Sequence, residues 1–258
     1  MKVIDLNCDM GESFGNYKLG LDEEVIKHIS SANIACGFHA GDPMVMEKTI
    51  MLAKENHVAP GAHPGFPDLM GFGRRTLEAT RHEMTNYIIY QVGALMAFCK
   101  ACGLKLQHVK THGKLYSNAW EDEIPAMATA EAIAKLDPSL FHLIMGGRKG
   151  EIAYKAGKEM GLKMARETYP DRAYLPDGSL VPRKQPGAVI KDPDLVTERA
   201  VRMASEKKVV AIDGTVIDLQ VDTICVHGDN PFAVEIVKKI KNDLKKEGVE
   251  IKPMGGFL

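Results

Sequence analysis

The chain is predicted to fold as one parallel α/β barrel, and three observations predict it. Its 258 residues fall in the range in which such a barrel is built as a unit. Short β-branched runs alternate with longer helix-period segments almost to the end, the pattern of successive βαβ units. Where those runs stop, histidine, aspartate and lysine recur beside glycine.

The predicted strands are Val3 to Leu6, Asn33 to Ala35, Val58 to Gly61, His108 to Lys110, Phe141 to Met145, Lys163 to Glu167 and Thr223 to Val226. Helices are expected to start at Asp42-Pro43, Asp192-Pro193 and Asn230-Pro231, where a side-chain acceptor precedes a proline suited to the first turn. They are expected to stop at Gly103, Gly161 and Gly248, because glycine adopts the left-handed conformation that closes a helix. Two segments interrupt the alternation. Residues 169–191 are rich in proline, glycine and charge and read as a loop or flap, and 209–219 reads as a hairpin insertion turning at Asp213-Gly214. No repeat or linker is visible, so one domain over 1–258 is expected.

Composition excludes several classes. Thirty-three Lys and Arg against 34 Asp and Glu leave no field to attract nucleic acid or an anionic membrane, so a small-molecule partner is expected. Acidic residues interrupt the first apolar run before a signal-peptide core can form, and the longest apolar stretch, 88–98, is about half of what spans a bilayer. A cytoplasmic protein is expected, and five scattered cysteines suit a reducing compartment better than a disulfide framework. The G-x-S-x-G match at Gly11 to Gly15 lacks the helix that a nucleophile elbow requires, and no P-loop motif is present.

Side chains alternate along a strand, so Asp5, Asn7 and Asp9 share one face of the first strand and its extension. The same parity sets His39, His63, His112 in line with Lys110, and Asp229 in line with His227, at or just past strand ends. In a parallel barrel those ends open on one rim, where ligands bind. Helix starts at Asp42 and Asn230 are expected to turn free N–H groups toward it, and Arg74 and Arg75 supply guanidiniums suited to phosphate or carboxylate. Attack on a carbonyl or amide carbon is the chemistry such a cluster suits.

The segments DLNCDMGE at 5–12, NIACGFHAGDP at 33–43, GAHPGFPD at 61–68, FGRR at 72–75, KTHGKLY at 110–116, 167–183 and CVHGDNP at 225–231 resemble the LamB/YcsF family. The resemblance implies an irregular seven-stranded, TIM-like barrel of the glycoside hydrolase and deacetylase kind. It implies ATP-dependent opening of 5-oxoproline to glutamate, with ATP accompanied by magnesium and with 5-oxoprolinase subunits B and C as partners. Asp9, His39, His63, Lys110, His112 and His227 are then the expected catalytic residues. Asp5, Asn7, Glu12, Asp42, Arg74, Arg75, Asp229 and Asn230 are expected to bind substrate or phosphate. No resident metal is assigned; a divalent metal, if bound, would be held by Asp9, His39, His63 and His112. Two other readings stay open, a metal-dependent amidase or deacetylase and a non-catalytic metabolite-binding protein. Self-association is also open.

Overall fold

The computed structural model describes residues 2–226 and 232–258. The order is β1 (Lys2–Met10), α1 (Asp22–Val25), β2 (Ser31–Ala35), α2 (Pro43–Glu55), β3 (Ala59–His63), α3 (Arg81–Ala101), β4 (His108–Val109), α4 (Gly113–Asn118), α5 (Glu123–Leu136), β5 (Phe141–Met145), α6 (Glu151–Glu159), β6 (Lys163–Thr168), α7 (Pro193–Glu206), β7 (Lys208–Val210), β8 (Val216–Asp218), β9 (Thr223–Cys225), α8 (Ala233–Lys246) and β10 (Val249–Ile251).

Strands β1 to β6 follow one another in parallel, β6 pairs with β9, and β9 closes back on β1. The result is a closed seven-stranded parallel barrel with flanking helices, built from the seven expected strands. The first strand is longer than its β-branched run, because β1 has three neighbours along its length: Lys2 to Ile4 pair with β10, Asp5 to Asn7 with β9, and Asn7 to Met10 with β2. The β10 strand is absent from the expected set, since three residues after Gly248 carry no period of their own. β7 and β8 form an antiparallel hairpin outside the barrel, and residues 169–191 hold only isolated bridges, Arg172 with Val189 and Tyr174 with Leu180.

Local signals explain the helix ends. The Asp42 carboxylate accepts from the N–H groups of Met44 and Val45, and Asp192 accepts from Asp194 and Leu195, so each satisfies donors that the first turn leaves unpaired. Gly103, Gly161 and Gly248 have φ of +73°, +72° and +70° directly after α3, α6 and α8. The Asn230-Pro231 start lies outside the described residues. No described helix is long and apolar enough to cross a membrane.

Outward residues of β1, Ile4, Leu6, Cys8 and Met10, are buried against the helices, while Asp5, Asn7 and Asp9 face the lumen. The lumen is layered. At the N-terminal end Phe141, Leu143, Ala165 and Met254 make a small apolar plug, and the turn carrying Met254 is fastened by the Gly255 N–H to Gln107 Oε1 at 3.1 Å. Above it the interior is polar and fully buried, which demands that every group find a partner.

Candidate active site

That polar layer is one connected network. Ser30, Ser31 and Thr223 hydroxyls donate to Asp5, and Asn7 Nδ2 donates to Thr223 at 2.6 Å. Asn33 Nδ2 donates to both Asn7 Oδ1 at 2.7 Å and Asp9 Oδ1 at 2.8 Å, while its own Oδ1 lies 2.7 Å from His108 Nε2. Burial raises the Asp5 carboxyl to about 6 against these hydrogen bonds, and it drives His108 down to about 3. Asp5 and Asn7, expected to bind substrate, therefore sit below the cavity as framework that orients Asp9.

At the C-terminal mouth of the barrel a cavity of about 640 Å³ has Asp9, His63, Lys110 and His112 on its floor. Lys110 is only 2% exposed. Its Nζ lies 2.7 Å from Asp9 Oδ1, 2.9 Å from Glu167 Oε1 and 3.3 Å from Cys225 Sγ. Burial opposes the charge, but the facing carboxylates outweigh it and hold the ammonium well above its ordinary pKa. Tyr116 at 3.2 Å and Tyr169 both donate to Glu167 Oε2, so the second carboxylate is held as firmly as the first. Burial pushes both phenols well up, which keeps them as donors.

The three histidines pack as a unit. His39 and His112 stack with ring planes 1° apart and centroids at 3.7 Å, and His63 meets both edge-on. His63 Nε2 lies 3.3 Å from Asp9 Oδ2 and 2.9 Å from His112 Nδ1. Glu12 Oε1 lies 3.3 Å from His39 Nε2 and 3.6 Å from His112 Nδ1. Burial first, then the neighbouring rings, hold His39 and His112 well below the usual imidazole value. Gly73, at φ +62°, brings the backbone so close that a Cβ there would stand 2.8 Å from His39 and 2.9 Å from His112. Glu12, His39, His63 and His112 could hold a metal, each offering one ligand atom within 4.8 Å of the others. The group shares His39, His63 and His112 with the expected set and adds Glu12, while Asp9 stands next to it, its Oδ1 engaged by Lys110 and Asn33 and its Oδ2 3.3 Å from His63 Nε2.

Other expected residues stand elsewhere. Asp42 uses both carboxylate oxygens on backbone, Oδ1 at the start of α2 and Oδ2 on the Gly15 N–H at 2.7 Å, so it fills the helix end instead of leaving it open. Arg75 folds onto Asp68 through Nε at 2.8 Å and a second nitrogen, whereas Arg74 lies over Phe72 and lines the cavity. His227, Asp229 and Asn230 lie outside the described residues. Sequence reasoning missed Glu167, Asn33 and His108, all of which the alternation rule could have found on their strands. It also missed Tyr169, one residue past the end of β6 on the face of Glu167, and Tyr116, Lys114 and Lys184 around the cavity, which no strand parity reveals.

A closed parallel barrel with a charged constellation at the C-terminal ends of its strands is the architecture of a site-bearing (β/α) barrel. The chain belongs to the LamB/YcsF family, whose model matches residues 4–258. It is 57% identical to the A subunit of 5-oxoprolinase from Pyrococcus horikoshii, over 99% of both chains. It is 55% identical to the A subunit of 5-oxoprolinase from Natranaerobius thermophilus, over 99% of this chain and 98% of the other. Among solved structures it matches the lactam utilization protein of Thermus thermophilus with a TM-score of 0.92 and 44% identity, over 98% of this chain and 99% of that one. A structure from Enterococcus faecalis, 12% identical with a TM-score of 0.59, shares the fold alone.

Proposed function

We propose that this chain opens the lactam ring of 5-oxoproline to glutamate, as the A subunit of an ATP-dependent 5-oxoprolinase that also needs subunits B and C. The observation that carries the reading is Lys110, a buried ammonium fixed by Asp9 and Glu167 beside His63 on the floor of a substrate-sized cavity. The names of close relatives over nearly their whole length support the substrate.

A lactam is a resonance-stabilised amide and resists water. Transfer of a phosphoryl group from ATP, with its magnesium, to the ring oxygen makes the carbon electrophilic. ADP leaves, a water adds to that carbon, and the C–N bond breaks as the ring nitrogen takes a proton, leaving an acyl phosphate of glutamate that a second water cleaves to glutamate and phosphate. Asp9 is placed to accept the proton of the attacking water, a role worth on the order of a hundredfold or more. Lys110 supplies fixed positive charge where negative charge grows on oxygen. Arg74, Lys114, Arg183 and Lys184 line the mouth and suit the substrate carboxylate and the phosphates.

In the complex reconstituted from the three subunits, Asp9→Asn is expected to lower glutamate release about a hundredfold or more with the complex still assembled. Unchanged turnover removes Asp9 from the chemistry.

A further inference from the structure

Hydrogen bonds on the outer sides of two rings determine what faces inward in the histidine cluster. His63 Nδ1 lies 2.7 Å from the Lys110 carbonyl, and a carbonyl only accepts, so Nδ1 carries the hydrogen. His112 Nε2 lies 2.9 Å from the Phe72 carbonyl and carries its hydrogen for the same reason. In the neutral rings His63 Nε2 and His112 Nδ1 are therefore bare lone pairs, and they confront each other at 2.9 Å. The Glu12 carboxylate stands on the same point, 3.6 Å from His112 Nδ1, with His39 Nε2 3.3 Å from its Oε1. Acceptors gathered in this way repel unless a positive centre stands between them.

We propose that Glu12, His63 and His112, with His39 as the fourth member, form a binding site for a divalent transition cation of the zinc class. A proton joins two lone pairs, whereas Glu12, His63 and His112 turn three donor atoms on one point, with His39 stacked beside them and all four within 4.8 Å of one another. Zinc–nitrogen bonds of about 2.0–2.1 Å put tetrahedral ligands roughly 3.3–3.4 Å apart. The separations of 2.9, 3.3 and 3.6 Å bracket that value. Three imidazoles and one carboxylate favour zinc over magnesium or calcium, which take oxygen. The outward N–H to carbonyl bonds of His63 and His112 are what orient a ligating imidazole and expose its lone pair. His39 Nδ1 is buried with no hydrogen-bond partner, so nothing comparable orients that ring and its contribution is the smallest. Cation binding here does not depend on which substrate the cavity takes.

The test uses the full chain, stripped with a chelator and titrated calorimetrically with zinc chloride, then with cobalt chloride read by visible absorption. One equivalent of zinc and the absorption of four-coordinate cobalt are expected. Glu12→Gln, His63→Ala and His112→Ala should each weaken zinc by about a hundredfold or more, His39→Ala by about tenfold, and His142→Ala, at a buried histidine outside the cluster, not at all. Melting curves in chelator check each fold, and the near-isosteric Glu12→Gln carries the test if a histidine variant does not fold. Absence of zinc binding overturns the site, as does affinity that the Glu12, His63 and His112 changes leave intact. So does a ring-nitrogen NMR spectrum showing a proton shared by His63 and His112 that zinc does not displace.

Discussion

Lys110 is tolerated in a barrel lumen because two carboxylates face it, and each is itself anchored, Asp9 by Asn33 and Glu167 by two tyrosine hydroxyls. Glu167→Leu removes one counter-charge and the acceptor that two phenols share, so a loss of about 3 kcal/mol in urea unfolding is expected. Glu167→Gln keeps an acceptor for the phenols and should lose less. Equal effects from the two changes would mean that the acceptor offered to the phenols is irrelevant and that the lost charge accounts for the whole effect. The alternation rule that found Asp9 and Lys110 reaches Glu167 too, since it shares a face with Ala165 on β6. Extended one residue past the strand it also reaches Tyr169, but it could not reach Tyr116, which arrives from α4.

Elements hold these residues in place through contacts that a single substitution can break. Asp42 accepts three backbone N–H groups, two from α2 and one from the loop at Gly15, and so ties the chain after β1 to the chain after β2. Asp42→Ala is expected to cost about 1–2 kcal/mol, and Asp42→Ser to recover the share due to the helix cap alone. At Gly61 on β3, an added Cβ would lie 2.0 Å from His108 Nε2. Gly61→Ala should therefore expel His108 from its bond to Asn33 and destabilise by about 1–3 kcal/mol; a variant as stable as the parent would show that the lumen can repack. Cap signals at Asp42, Asp192, Gly103 and Gly161 were legible because they act within one turn of chain. β10 was not, because its three residues become a strand only by pairing with β1.

Across the whole molecule the buried titratable groups set the response to acid. His39 and His112 lie well below the ordinary imidazole value, His108 falls to about 3 and His142 to about 4, so below 6.5 the unfolded chain binds protons that the folded chain refuses. Their contribution makes stability rise with pH. Asp5 and Asp22 are both raised from 3.8 to about 6, so between those values the folded chain holds the extra protons and stability falls with pH. Four groups against two leave a net rise from about pH 4 to about pH 6, with each net proton worth about 1.4 kcal/mol per pH unit. Denaturant unfolding in chelator checks it. Asp5→Asn deletes one opposing group and should steepen the rise, and greater stability at pH 4 than at pH 6 would reverse the assignment.

What the sequence by itself determined is periodic and local: seven β-branched runs, the helix caps, and the side of each strand on which aspartate, lysine and histidine fall. Those properties need only neighbours within a few residues, and together they specify a parallel barrel with polar groups at its C-terminal rim. Only the tertiary structure decided which of those groups meet. Closing β9 onto β1 sets Thr223 against Asp5 and turns the lower aspartate into framework, while barrel register sets Lys110 between carboxylates from β1 and β6. Glu12 met His39 and His112 only when β1 and the strands that carry those rings closed together, whereas Arg75 turned away onto Asp68, seven residues before it.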